Sequence, residues 1–198
     1  MDYSTELKRI NDKYYNKIKK AYSKYIKNFD SIPDLTQNVY IILDNKCIGD
    51  YEDLAVGNNR GRCDVDTGNI YIRESAFCEH LLIHEFIHRL SRNFIDCGWI
   101  EGFMISDTEI FLNELINEAL TSKICGYESR NYNLYLFPIF HKIVKKIGYD
   151  NLLYAYFSSD IIYLKSNLEI VYINRVMKDC MLSKKSFFCF IKALTYNI

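Results

Sequence analysis

No Cys-x-x-Cys pair occurs in this 198-residue chain, although it has seven cysteines, so a cysteine-rich structural zinc site is not to be expected. The seven stand at 47, 63, 78, 97, 125, 180 and 189, an odd number, and Cys78 and Cys125 fall in expected helices. That pattern suits reduced, mostly buried thiols better than a disulfide framework. Net charge is missing too: 25 Lys and Arg balance 25 Asp and Glu, so nothing pulls the chain toward nucleic acid. No apolar run is long enough to span a membrane, and the N-terminus lacks an apolar signal core. These absences predict a cytoplasmic protein without nucleic-acid or membrane partners, unconventional export remaining open. There is no internal repeat, no low-complexity tract and no glycine-rich phosphate loop.

What is present is an apolar share of 49%, ample for one packed domain, and one conspicuous stretch, Glu79-His80-Leu81-Leu82-Ile83-His84-Glu85-Phe86-Ile87-His88. It contains the His-Glu-x-x-His pattern. On a helix, residues four apart share a face, so the imidazoles of His84 and His88 can grip one metal ion. Glu85 projects beside that ion rather than onto it, placed to take a proton from water. Leu81, Leu82, Ile83, Phe86, Ile87 and Leu90 make the other faces apolar, which predicts a buried helix. Gly and His are not found three and six residues after His88; Ser91 and Phe94 stand there, so the extended three-histidine site is absent. His80 and His84 form another pair, but Leu81 occupies the place of a catalytic Glu. His80 reads as a helix-face residue or an outer partner of the site.

A second amphipathic helix is expected over Phe111-Leu112-Asn113-Glu114-Leu115-Ile116-Asn117-Glu118-Ala119-Leu120-Thr121, from Leu112, Leu115, Ile116, Ala119 and Leu120. Glu114 and Glu118 lie one turn apart on one face. Two inward carboxylates are costly unless a cation or hydrogen-bond donors meet them. A zinc ion and a ligand imidazole N–H would meet both, one Glu binding the metal and the other orienting a histidine.

His84-Glu85-Phe86-Ile87-His88 followed by Leu112-Asn113-Glu114-Leu115-Ile116-Asn117-Glu118-Ala119 resembles the gluzincins, metallopeptidases with two helix-borne His ligands and a Glu from a later helix. Thermolysin-like peptidases and zinc aminopeptidases carry an Asn-Glu pair there with an acidic residue four positions on. The second run is also similar to one in small bacterial HExxH proteins. The resemblance covers mainly residues 77–126 and loosely extends to about 165. It implies Glu114 as the third zinc ligand, Glu118 as the outer partner of His84, and Asn113 beside them. Asn117-Glu118-Ala119 also reads as Asn-Glu-Ala, so a registration with Glu118 as ligand stays open. The resemblance further implies a Tyr or His donor to the transition-state oxygen from the C-terminal part, for which Tyr132, Tyr135 and His141 are candidates.

Elsewhere, Leu7, Ile10, Tyr14, Ile18, Ala21, Tyr25 and Phe29 form a helical stripe over residues 4–29, with lysines off it. Ser31-Ile32-Pro33-Asp34 should end that helix. Residues 39–43 read as a central strand. Residues 45–62 read as loop, and Asp66-Thr67-Gly68 as the turn of a hairpin between 62–65 and 69–73. In gluzincins an edge strand before the metal helix binds the substrate backbone; the second strand of this hairpin leads directly into that helix. Residues 93–108, with Gly98, Trp99 and Gly102, read as a loop walling the cleft. Helices are expected at roughly 131–147, 149–157, 167–179 and 183–195.

The expected architecture is a single α+β, zincin-like domain: an N-terminal helix (1–30), a small mixed sheet plus metal helix (38–96) and a C-terminal helical lobe (109–198). The expected function is zinc-dependent hydrolysis of peptide bonds in a peptide or protein, as an endopeptidase with Glu85 as general base. Two alternatives stand beside it: a non-catalytic zinc-binding module, toxin-like or regulatory, and a helical interaction protein in which the motif is a coincidence.

Overall fold

A computed structural model describes residues 2–44, 60–95, 98–103, 110–126 and 136–167. The fold is α+β, with helices packed around small mixed sheets. Helix α1 spans Tyr3–Tyr22 and opens on Asp2, whose carboxylate accepts from the backbone N–H groups of Ser4 and Thr5. Leu7, Ile10, Tyr14, Ile18 and Tyr22 are its buried stripe. The helix stops seven residues short of the expected end. A 3-10 turn follows at Ser23–Tyr25, Asn28 takes left-handed φ (58°), and a second 3-10 turn covers Phe29–Ser31. Tyr25 and Phe29 remain buried, so the apolar stripe survives the break that its periodicity could not reveal.

Strands β1 (Val39–Ile42), β2 (Gly61–Cys63) and β3 (Ile70–Arg73) form a sheet of order β1-β3-β2. β3 pairs parallel with β1 and antiparallel with β2. Among the described residues the 39–43 run is therefore an edge, not the centre, and β3 is flanked on both sides, so it cannot be a free substrate edge. Strand order depends on long-range pairing, which local β-propensity does not encode. Ile70 and Ile72 face the core and are fully buried. The β2–β3 turn is closed by Asp64, whose Oδ1 accepts from Thr67 N (2.8 Å) and Thr67 Oγ1 (2.7 Å).

Helix α2, Glu79–Leu90, follows a 3-10 turn at Glu74–Ala76. Every residue from Leu82 to Leu90 is buried, as expected for a helix apolar on most faces. Its N-terminus is held by Glu79, which receives Tyr14 Oη (2.6 Å) and Lys13 Nζ (2.9 Å) and pairs with Arg9. Its C-terminus is held by Arg89, 2% exposed, whose guanidinium donates to the carbonyls of Gly68 (2.7 Å), Asp34 (2.9 Å), Asn38 (2.8 Å) and Pro33 (3.3 Å). One side chain thus ties α2 to the entry of β1 and to the β2–β3 turn.

The 93–108 segment is not simply a loop. β4 (Arg92–Ile95) and β5 (Gly98–Glu101) form an antiparallel hairpin. Helix α3 (Ile110–Cys125) then packs against α2, and α4 (Leu136–Ile147), α5 (Tyr149–Ser158) and α6 (Ile161–Asn167) complete the described lobe. The 45–59 loop, Tyr132, Tyr135 and the two last expected helices lie outside the described residues, while α6 lies where no helix is expected. Core residues from α1, β3, α2, α3, α4, α5 and α6 join in one cluster. Among the described residues no helix is long and apolar enough to cross a membrane.

Candidate metal centre

Three of the chain's four histidines recur every fourth residue on α2, at 80, 84 and 88, so helix geometry alone stacks them on one face. α3 lies across that face and brings Glu114 to the inner two. His84 Nε2 is 3.2 Å from Glu114 Oε2, His88 Nε2 is 3.2 Å from Glu114 Oε1, and the two Nε2 atoms are 3.2 Å apart. One ligand atom from each residue lies within 4.8 Å of the others. Two ligands bonded to a tetrahedral zinc at about 2.0–2.1 Å stand about 3.3 Å apart, so the 3.2 Å spacings suit one small cation. Without a cation the same spacings are met by Nε2–H groups that donate to Glu114 or to the facing ring nitrogen. The donor set of two imidazoles and one carboxylate fits zinc.

Each inner histidine has a carboxylate behind it. His84 Nδ1 lies 3.2 Å from Glu118 Oε2, which assigns the proton to Nδ1 and leaves Nε2 free as a donor to metal. Glu118 also meets His80 Nε2 at 2.8 Å and Ser122 Oγ at 3.4 Å. The structure therefore sets Glu114 between the two Nε2 atoms and Glu118 on the outer side. Asn117 of the alternative registration donates to the backbone carbonyl of His84 (3.1 Å) and so steadies the helix instead.

The partner of His88 is Glu101, on β5, which no sequence pattern singled out. Glu101 Oε1 is 3.1 Å from His88 Nδ1, close enough for an ion pair but not aligned for a hydrogen bond, and Glu101 Oε2 is buried without a hydrogen-bond partner among the described residues. Asn113 stands one layer further out than expected. Its amide Nδ2 approaches Glu101 Oε1 (3.4 Å) and its Oδ1 accepts from Phe103 N (3.1 Å). Gly102 permits this packing: at φ 49°, a Cβ there would lie 2.0 Å from Asn113 Oδ1 and 2.5 Å from Tyr156 Cε2. The sequence signal for Glu101 was a lone carboxylate alternating with Ile100, hidden by the loop reading of Gly98 and Gly102.

The electrostatics follow from burial and charge together. Burial would keep His84 neutral, yet Glu114 and Glu118 raise its pKa to about 9. Burial likewise opposes protonation of His88, and Glu101 and Glu114 overcome it, raising that pKa well above the usual value. Glu114 is disfavoured as an anion by burial, but His88 and His84 hold it far below the usual carboxylate range. Protons on the two histidines supply the positive charge in the cation-free site, and a divalent ion would take their place. Glu85 differs. It is 5% exposed, and desolvation raises its carboxyl to about 7 against the lowering effect of His84 and His88. Gly61 of β2 lies directly against it: a Cβ there would be 3.0 Å from Glu85 Oε1 and 3.2 Å from its Cγ.

His141 is not brought to the site. It is exposed on α4, its ring edge-to-face with Phe140, and none of its described contacts is with the histidine cluster. The tyrosine that α5 places near His88 and Glu101 is Tyr156, fully buried, its ring edge-to-face with Phe103 and its hydroxyl pushed up by burial. Compared with protein-family models, with curated proteins and with solved structures, the chain matches none.

Proposed function

We propose that the chain is a zinc-dependent peptidase of zincin-like architecture, with His84, His88 and Glu114 as metal ligands and Glu85 as general base. One observation carries this reading: two imidazole Nε2 atoms 3.2 Å apart, each 3.2 Å from one oxygen of the Glu114 carboxylate, beside a buried carboxyl that desolvation pushes up to about 7. When bound, zinc supplies a Lewis acid that polarises the scissile carbonyl and acidifies the attacking water. Glu85 accepts the proton of that water and hands it to the leaving amine; a carboxyl titrating near neutrality suits both acceptance and release. Glu118 and Glu101 hold the ligand imidazoles in place from behind.

A peptide is the favoured substrate because a strand edge that is open among the described residues runs over the base. Arg73 N donates to Arg60 O (2.9 Å) and Asp64 N to Asn69 O (2.8 Å). Residues 60, 62 and 64 therefore turn their backbone groups to β3, and Gly61 and Cys63 turn theirs to the edge that is open among the described residues. A peptide added as a strand on that edge passes Glu85. The edge expected from the second hairpin strand is thus supplied by the first.

The test is metal removal. Dialysis against a chelator should abolish cleavage of a mixed peptide library, and one equivalent of zinc should restore it. His84→Ala/His88→Ala should retain no stoichiometric zinc; full zinc content in that variant would remove the site. Zinc bound without any cleavage would leave a non-catalytic zinc-binding module.

A further inference from the structure

The β4–β5 hairpin carries two large aromatic side chains in the open: Phe94 is 70% exposed and Trp99 41% exposed. They stand directly opposite each other, with ring centroids 5.5 Å apart and edge to face. Strand alternation puts them on the same hairpin face as Arg92 and Glu101. The other face is spent on the core: Ile100 is buried, and Asn93 Nδ2 donates to Phe157 O (3.0 Å) and Ser159 Oγ (2.8 Å). Glu101, on the same face as the aromatic pair, reaches Nδ1 of His88, so the pair adjoins the outer side of the histidine cluster.

Arg92 fixes where that face points. Its Nε donates to Val65 O (2.7 Å) and its Nη2 to Asp66 O (2.6 Å), while its guanidinium lies 4.5 Å from the Trp99 ring centroid. Val65 is two residues beyond Cys63, the last residue of β2. Trp99 is two residues before Glu101. Two residues of strand span about 7 Å. The aromatic pair therefore stands beside the β2–β3 turn, just past the end of β2, and two residues along β5 from the carboxylate that meets His88.

We propose that Trp99 and Phe94 form a specificity subsite that receives an apolar or aromatic side chain of a peptide laid along the β2 edge. The inference rests on the peptide-binding reading above and adds the substrate preference. A rigid edge-to-face pair offers a flat apolar platform at low ordering cost, and Arg92, satisfied by backbone carbonyls, holds Trp99 in register with β2. The occupant is a substrate side chain a few residues from the scissile bond, because Arg92 sets the platform beside the turn that follows Cys63 at the end of the β2 edge.

Trp99 is the only tryptophan of the chain, so its emission reports on this position alone. The probes are blocked alanine hexapeptides with a single Phe or a single Ser at each position in turn, titrated into the zinc-supplemented full-length Glu85→Gln chain. At one position Phe should shift Trp99 emission and bind about 10-fold tighter than Ser, the effect of burying an aromatic side chain. Isothermal titration should show that preference falling below about 3-fold in Trp99→Ala and Phe94→Ala and persisting in Trp99→Phe, with zinc content unchanged in all three. Equal binding of Phe and Ser peptides, no peptide binding, or a preference that survives Trp99→Ala would overturn the subsite. So would a concentration-dependent dimer, seen by sedimentation, that Trp99→Ala dissolves. Zinc content and Glu85-dependent cleavage are read separately. A Trp99-dependent preference without cleavage would therefore sink the hydrolase reading and leave the subsite standing.

Discussion

Removing the carboxylates behind the two ligand histidines should weaken zinc binding unequally. Glu118 Oε2 faces His84 Nδ1 at 3.2 Å, and its Oε1 is fixed by His80 Nε2 at 2.8 Å. Glu101 Oε1 meets His88 Nδ1 at 3.1 Å with poor alignment, and its second oxygen has no hydrogen-bond partner among the described residues. Loss of such an outer partner typically costs about 10- to 100-fold in metal affinity, or about 1.4–2.7 kcal/mol. Glu118→Ala belongs at the upper end, because it frees His84 to rotate and leaves His80 without its anion. Glu101→Ala belongs at the lower end. Glu118→Gln should be milder than Glu118→Ala, since an amide oxygen still accepts the imidazole N–H. Glu114→Ala should exceed them all by removing a ligand. Competition titrations against a chromogenic chelator, run on all four variants at one pH, give the order directly. Glu118→Ala releasing zinc more readily than Glu114→Ala would exchange their roles. Negligible effects from both would show that neither carboxylate serves the metal.

Arg89→Met should lower unfolding free energy by about 4 kcal/mol, because three or four charge-assisted bonds are lost and buried carbonyls are left bare; a change under 1 kcal/mol in urea denaturation would refute this role. Gly61→Ala should cut turnover at least about 10-fold while zinc stays bound, since the new methyl would crowd the base at 3.0 Å; unchanged turnover would show that Glu85 can give way freely. Glu79 is pushed up by burial, yet Tyr14, Lys13 and Arg9 hold its carboxyl at about 2, below the ordinary 4.5. Its contribution should be complete above about pH 4.5 and vanish as pH falls through 2. Because Arg9 and Lys13 are half-exposed, Glu79→Gln should cost under about 1 kcal/mol at pH 7, and the difference from wild type should disappear at pH 2.

The parts of the site that were legible in the sequence are those set by helical spacing. His84, Glu85 and His88 are fixed relative to one another by one turn of α2, and Glu114 and Glu118 by one turn of α3. The hairpin at Asp66-Thr67-Gly68 was readable because its turn residues are local. Glu101 was not, because its role depends on how a hairpin folds back onto α2, and Gly98 and Gly102 mimic a loop in a linear reading. β3 rather than β1 lies at the sheet centre for the same reason: pairing partners are chosen by the whole fold. The end of α1 at Tyr22 was hidden because Tyr25 and Phe29 keep the apolar spacing after the helix has stopped. Glu118 as a shared acceptor for His80 and His84 needed the depth of α3 against α2, which no spacing rule supplies.

The central claim, that this buried cluster is a hydrolytic zinc centre, is met most directly by Glu85→Gln. The substitution removes the base and no ligand. Zinc per chain and cleavage of a peptide library should be measured side by side in wild type and variant. The account predicts about one zinc in both proteins, and cleavage lost by at least about 100-fold in the variant, the scale of general-base catalysis. Equal cleavage by the two proteins, or wild-type protein that takes up no zinc, would contradict it.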